Sequence, residues 1–210
     1  MMSLIDKIFS NKSKKIIAID GEYGSGAYNI AANIAEKENI KFYDSKLIEL
    51  MTLEKKVKPE DLSKDDSFLQ GTIYDLYREN YSYSQEDIAF SDAQFLMDSR
   101  TIRDIAKKGQ CVILGKCADY VLGDDIVLSV FIYASEDFKL NRIEKDYNIK
   151  KDKIETKMNR EDMKRKNHYE RNTGRLWGKS SVYDLSIDSS AFSFDTIEDI
   201  IIKLANKKIR

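Results

Sequence analysis

Histidine occurs once in the 210 residues, as His168, which argues against a histidine-built metal centre and against a Ser-His-Asp triad. Cysteine is almost as scarce. Cys111 sits in an apolar run and Cys117 in a loop, without the paired spacing of a zinc site or a disulfide framework, so a reducing cytoplasm is the expected compartment. An excess of charge is missing too: 35 basic and 36 acidic side chains leave a formal net charge of −1. No global field therefore favours nucleic acid or a membrane surface, and any anion site must be built locally. No apolar stretch is long enough to span a bilayer. The opening MMSLIDKIFSNKSKK is interrupted by Asp6 and Lys7, which makes it a poor secretory segment and a better short amphipathic turn. No internal repeat or low-complexity tract appears, and a chain of this length fits one α/β domain better than two.

What is present is a glycine-rich turn. In IIAIDGEYGSGAYNIAA, residues 16–32, an apolar β-branched run leads through Gly21, Glu22, Tyr23, Gly24, Ser25 and Gly26 to Ala27 and then into helical periodicity. A strand, glycine loop and helix in this order turn backbone N–H groups towards an anion at the positive end of the helix, and phosphate is the natural guest. Against the template GxxxxGK[ST], Gly21 and Gly26 match, but Ala27 replaces the lysine and Tyr28 the hydroxyl residue. The cradle is kept while the usual phosphate-reaching lysine and magnesium ligand are missing. Two other readings of the same turn stay open. One is simple close packing of strand on helix. The other is a GxGxxG dinucleotide loop from Gly24, which fails at Asn29 and is supported only by Asp44 downstream. If the turn is a phosphate cradle, valine at Gly24 or Gly26 is expected to abolish binding in a folded protein.

Apolar runs at 15–20, 40–43, 111–115, 127–134 and 183–187 are each followed by helical periodicity, which predicts a five-stranded parallel sheet with helices on both faces. Its ligand is expected at the carboxyl ends of the strands, where Gly21 and Gly115 lie. A helical insertion is expected at about 52–83, around Pro59 and a cluster of tyrosines. Ser84-x-x-Asp87 and Asp195-x-x-Glu198 read as capping boxes of the long helices that follow, the first with Ile88, Phe95, Ile102 and Ile105 inward. The last helix is expected to dock Ile197, Ile200, Ile201 and Leu204 on the sheet.

The second informative stretch, REDMKRKNHYERNTGRLWGK, is a basic patch in a nearly neutral chain. Read alone it is a solvated, salt-bridged helix, but its place in the chain is similar to that of the mobile arginine-bearing lid that closes over phosphates in nucleotide kinases. Together with GEYGSGAYNIA, IKFYD, CVILGKCADYVL, VFIYASEDFKLNRI and YDLSIDSS, it makes the chain resemble the cytidylate kinase-like family over nearly its whole length. The resemblance implies a P-loop NTPase-type, nucleoside monophosphate kinase-like three-layer α/β fold with a basic lid at about 155–180. It implies ATP or another nucleoside triphosphate as donor, magnesium if the protein is catalytic, and a small nucleotide as partner. Family members commonly read GSGG and GRCADY, where this chain has GSGA and GKCADY, and the arginine that follows the second strand in cytidylate kinases is absent from SKLIELM. Arg165, Lys116 and Arg171 are the candidates to replace the missing loop lysine. Asp44 is either an acceptor contact or a helix cap, and Arg103 either points into the cleft or pairs with a carboxylate. Asp162, Lys164 and Arg175 are assigned to the lid, with Asp162 and Arg165 as a hinge pair. Trp177 is expected to anchor the lid's end to the body. The competing function is a catalytically weak nucleotide sensor, and pairing of the chain with itself stays open.

Overall fold

The computed structural model describes residues 15–54, 85–147 and 151–207. The expected N-terminal turn, residue Ser84 of the first capping box and residues 55–83 of the expected insertion lie outside them. The described elements alternate as the periodicities require. β1 (Ile16–Gly21) enters the glycine loop and α1 (Ala27–Lys37), and β2 (Lys41–Tyr43) is followed by α2 (Ser45–Glu54). α3 (Gln85–Lys108) returns to β3 (Cys111–Leu114), and the short α4 (Ala118–Leu122) leads to β4 (Leu128–Tyr133). Then come α5 (Glu136–Tyr147), α6 (Lys151–Thr173), β5 (Leu185–Asp188) and α7 (Phe194–Lys207). The five strands are all parallel and lie in the order β2-β3-β1-β4-β5.

Continuous β-branched runs make the central strands because both faces of the sheet are covered. Along β1, Ile16 and Ala18 join a cluster with Phe95, Ile102, Ile105, Ile113, Phe131 and Tyr169 under α3, α4 and α6. Ile17 and Ile19 face the other way, onto Ile30, Ile34, Val130, Ile132, Ile197 and Ile201 under α1 and α7. Each such side chain taken fully out of water contributes on the order of 1.5–3 kcal/mol, which makes these two apolar layers the main force that holds β1 at the centre. A third, smaller cluster joins Ile143 of α5 to Ile154 and Met158 of α6, with Tyr23 of the glycine loop against it. Through it the long charged helix α6 is packed onto the loop.

The last helix departs from its expected start. Ser193, not Asp195, caps α7: its Oγ accepts from the Thr196 amide at 3.2 Å, and its carbonyl from the Ile197 amide at 3.1 Å. Glu198, instead of reaching back to the cap, is fully buried and receives Asn33 Nδ2 at 2.8 Å and Lys37 at 2.8 Å, which ties α7 to α1. Phe194, the first residue of α7, packs on the loop at Gly26, and on the face set by the buried Ile197 and Ile201 it is Ala205, not Leu204, that turns inward, leaving Leu204 40% exposed.

Candidate active site

The glycine loop is built by backbone geometry that side chains would obstruct. Gly24 and Gly26 hold φ of +88° and +89°, a left-handed conformation that Cβ disfavours. A Cβ on Gly26 would stand 2.2 Å from Phe194 Cζ, and one on Gly24 2.9 Å from Ile143 Cδ1. Valine at Gly26 would meet Phe194, so the loss of binding expected there should be accompanied by a loss of stability. Ser25 closes the turn with its amide at 3.2 Å and its Oγ at 2.8 Å from the Glu22 carbonyl oxygen. Gly26 starts α1 with no side-chain cap on the first turn. Ala27 is buried among Ile19, Ile30 and Ile132, while Tyr28 is half exposed and packs edge-on to Phe42, 5.4 Å between ring centres.

α6 meets this loop directly. The Tyr23 amide donates to Asp162 Oδ1 at 2.6 Å, and Arg165 Nη1 donates to the Gly21 carbonyl at 2.6 Å. Arg165 and Lys157 both hold their charges about 6.0 Å from the centre of the Tyr23 ring. Asp162 therefore places a carboxylate on an amide of the glycine loop. Burial raises its pKa, against the opposing pull of that amide, Lys139 and Arg165.

Beside the loop, a cleft of about 380 Å³ opens between the ends of β1 and β3 and the side of α6. Asp20, Ser45, Glu49, Lys116, Lys164, Arg165 and His168 line it. The turn after β3 holds Gly115, Lys116 and Cys117 at φ of +75°, +56° and +55°. Two non-glycine residues in this conformation store on the order of 1–3 kcal/mol each, and the strain aims Lys116 into the cleft. Its Nζ lies 2.6 Å from Glu49 and 3.0 Å from Asp98. Lys164 and Arg165 sit on the cleft wall, whereas Arg171 is exposed at the end of α6, and Arg103 on α3 is not among the lining residues. Asp44 caps α2, accepting the Leu47 amide at 2.7 Å, and its neighbour Ser45 lines the cleft instead. Arg175 lies over the Tyr120 ring at 5.0 Å.

Three residues outside the sequence-based selection belong here. Asp98 is buried on α3, and its distance from Lys116 in sequence hides the pairing. His168 faces the cleft with Nε2 lacking a hydrogen-bond partner among the described residues, and burial together with Lys116 lowers its pKa. Asp20, the last polar residue of β1, receives Trp177 Nε1 at 3.0 Å and the Gly21 amide at 2.8 Å. Burial pushes its pKa from 3.8 up to about 6, against the pull of Arg165, Trp177 and the Gly21 amide. The glycine motif drew attention to the residues after Asp20, though an acid ending a buried strand was itself a usable signal.

Because Trp177 is the single tryptophan, this carboxyl has a built-in reporter. The emission of Trp177 should titrate with a midpoint near pH 6, and Asp20→Asn should abolish the titration; a flat profile in the wild type would contradict the pairing. The folded pKa lies above the unfolded one, so the folded state holds the proton more tightly. Asp20 thus destabilises the fold progressively as pH rises from about 4 through 6, by about 3 kcal/mol at most. The melting temperature of Asp20→Asn should accordingly exceed that of the wild type at pH 8, and the gap should shrink towards pH 4.

A parallel 2-3-1-4-5 sheet with a glycine loop between its central strand and the following helix defines a P-loop kinase fold. Within that class the chain belongs to the cytidylate kinase-like family, whose model matches residues 16–191. It is 28% identical over 190 residues to a cytidylate kinase of Methanocaldococcus jannaschii, across 89% of this chain and 94% of the relative. It is 25% identical to a bifunctional pantoate ligase/cytidylate kinase of Prochlorococcus marinus, across 98% of this chain but 46% of that longer protein. An uncharacterized protein from Eubacterium ventriosum has a similar solved structure, with a TM-score of 0.70 at 25% identity over 92% of this chain and 99% of that one. Shikimate kinase from Acinetobacter baumannii shares the fold at a TM-score of 0.50 and 16% identity, over 96% of this chain and 98% of that one. Among the described residues no helix is long and apolar enough to cross a membrane, and no group of three or more His, Cys, Asp and Glu is placed to hold a metal ion.

Proposed function

We propose that this chain is a nucleotide-binding phosphotransferase that moves the γ-phosphoryl group of ATP or another nucleoside triphosphate to a nucleoside monophosphate, cytidylate-like, or a similarly small acceptor. The observation that carries the reading is the placement of Arg165, which touches the glycine loop through Gly21 and also lines the neighbouring cleft. A guanidinium at that junction stands between a donor's phosphates on the loop and an acceptor in the cleft, where charge develops during transfer. Lys164 adds positive charge to the same wall. At the far side, Ser45, Glu49, Lys116 and His168 offer both donors and acceptors to a polar acceptor. With burial holding His168 neutral and Asn172 Nδ2 3.2 Å from its Nδ1, Nε2 is left as the N–H donor on that wall.

Magnesium accompanies the nucleotide in such reactions and would neutralise charge on the phosphates. Among the described residues the chain offers that ion few ligands of its own. Tyr28 turns its ring to Phe42 in place of the usual hydroxyl, and Asp20 is the carboxylate at the loop's entrance on the cleft wall. Phosphate oxygens and water would supply the remaining ligands.

A second reading is supported by Asp162. Its carboxylate on the Tyr23 amide competes with a phosphate, and with Ala27 and Tyr28 in the loop it favours a nucleotide sensor of little or no turnover. A coupled assay across nucleoside monophosphates, run beside an ATP titration on the same sample, separates the two. Turnover with at least one acceptor is expected. ATP binding without turnover would move the protein to the sensor class, and neither binding nor turnover would defeat both readings.

A further inference from the structure

The loop's own lysine position is closed, since Ala27 is 5% exposed inside the apolar layer beneath α1. Positive charge for a bound triphosphate must therefore arrive from another element. Lys116 is held on the acceptor side by Glu49 and Asp98. α5 instead presents two cations, three residues apart and so on one helical face, along the rim of the loop. Arg142 donates to the Gly24 carbonyl at 3.3 Å and to Asn29 Oδ1 at 2.9 Å. Lys139 is only 9% exposed, and a Cβ on Gly24 would meet its Cβ at 3.2 Å. Its Nζ stands 2.9 Å from Glu22 Oε2. A lysine this deeply buried is uncommon unless it is paired, and here the partner belongs to the glycine loop, Glu22, whose Oε2 also accepts the Ala134 amide at 3.2 Å.

We infer that Lys139 is a phosphate-binding residue, supplying from α5 the positive charge that the loop lacks at Ala27. The inference rests on the nucleotide reading given above. In the free protein Lys139 neutralises Glu22 of the loop, and its charge also reaches Asp162. A triphosphate brings several negative charges to the same few ångströms. The ammonium, with three donors on a flexible stem, can then divide itself between Glu22 and a phosphate oxygen while keeping its carbon chain against Gly24. Glu22 in turn prevents a bare buried ammonium when the loop is empty.

The alternative is that Lys139 serves only as the partner of Glu22. Titrations of ATP with magnesium, and of inorganic tripolyphosphate, distinguish the two in four proteins: wild type, Lys139→Gln, Glu22→Gln and the double variant, with melting curves to establish folding. Lys139→Gln should weaken both ligands roughly tenfold or more, the scale of one lost charge-assisted contact. It should do so in the Glu22→Gln background as well, where Glu22→Gln alone tightens binding by removing a carboxylate from the cradle. Lys139→Arg, which keeps the charge, serves as the second variant should Lys139→Gln fail to fold, and should retain binding. A loss that vanishes once Glu22 is neutralised overturns the assignment and leaves Lys139 as a structural partner. ATP binding that is indifferent to Lys139→Gln overturns it as well, while a wild type that binds no ATP overturns the nucleotide reading itself.

Discussion

Arg165→Ala is expected to lower turnover by on the order of a hundredfold or more while changing ATP affinity far less, the pattern for a preorganised charge that acts on the transition state. The structure gives the expectation a physical basis. Arg165 is exposed on α6, yet its guanidinium is fixed by the Gly21 carbonyl at 2.6 Å and by the face of Tyr23. Its reach therefore costs little reorganisation once phosphates are bound. A second readout separates this role from mere attachment of α6 to the loop. Arg165 is the largest of the influences that hold down the pKa of Asp20, so its removal should move the Trp177 emission midpoint above pH 6. Equal losses in rate and affinity would make Arg165 a binding residue, and an unchanged rate would return it to an ordinary surface role.

The other large effect should come from the smallest substitution in the loop. Gly26→Ala asks an L-residue to hold φ near +89° and pushes its methyl group into Phe194. The backbone term costs about 1–2 kcal/mol, and the overlap adds a further 1–3 kcal/mol or so as the ring is displaced. Melting should fall by roughly 5–15 °C for a chain of this size. Phe194 also lies under Arg142, 5.2 Å from its guanidinium carbon, so the shift propagates to the Gly24 carbonyl, and ATP binding should fall with stability. Gly174→Ala is the matched control, since that residue also has positive φ but opens onto empty space. It should show the backbone cost alone. An equal melting change in the two variants would mean that Phe194 yields without penalty.

Much of this architecture was legible in the residues themselves. The β-branched runs marked β1, β3 and β4, and the glycines of GEYGSG marked the turn, because strand burial and positive φ each demand particular residue types locally. The apolar face of α3 was equally plain at Phe95, Ile102 and Ile105, all buried. The start of α7 was less so. Asp195-x-x-Glu198 satisfies the capping pattern, but Glu198 is drawn into a buried contact with Asn33 and Lys37 that lies 165 residues away in sequence for its amide partner.

The candidate site divides along the same line. The amino-acid sequence alone determined that a glycine-rich turn lies after the first strand, that it lacks the lysine and hydroxyl of the common P-loop template, and that a basic segment follows the fourth strand. These are properties of neighbouring residues and their periodicity. Only the tertiary structure decided which charges meet the loop. It brought Asp162 and Arg165 onto the loop, engaged Lys116 with Glu49 and Asp98, and set Lys139 beside Glu22. Pairing of charges depends on how parallel strands cross over and how helices pack on them, and those long-range contacts leave no periodic trace in the chain.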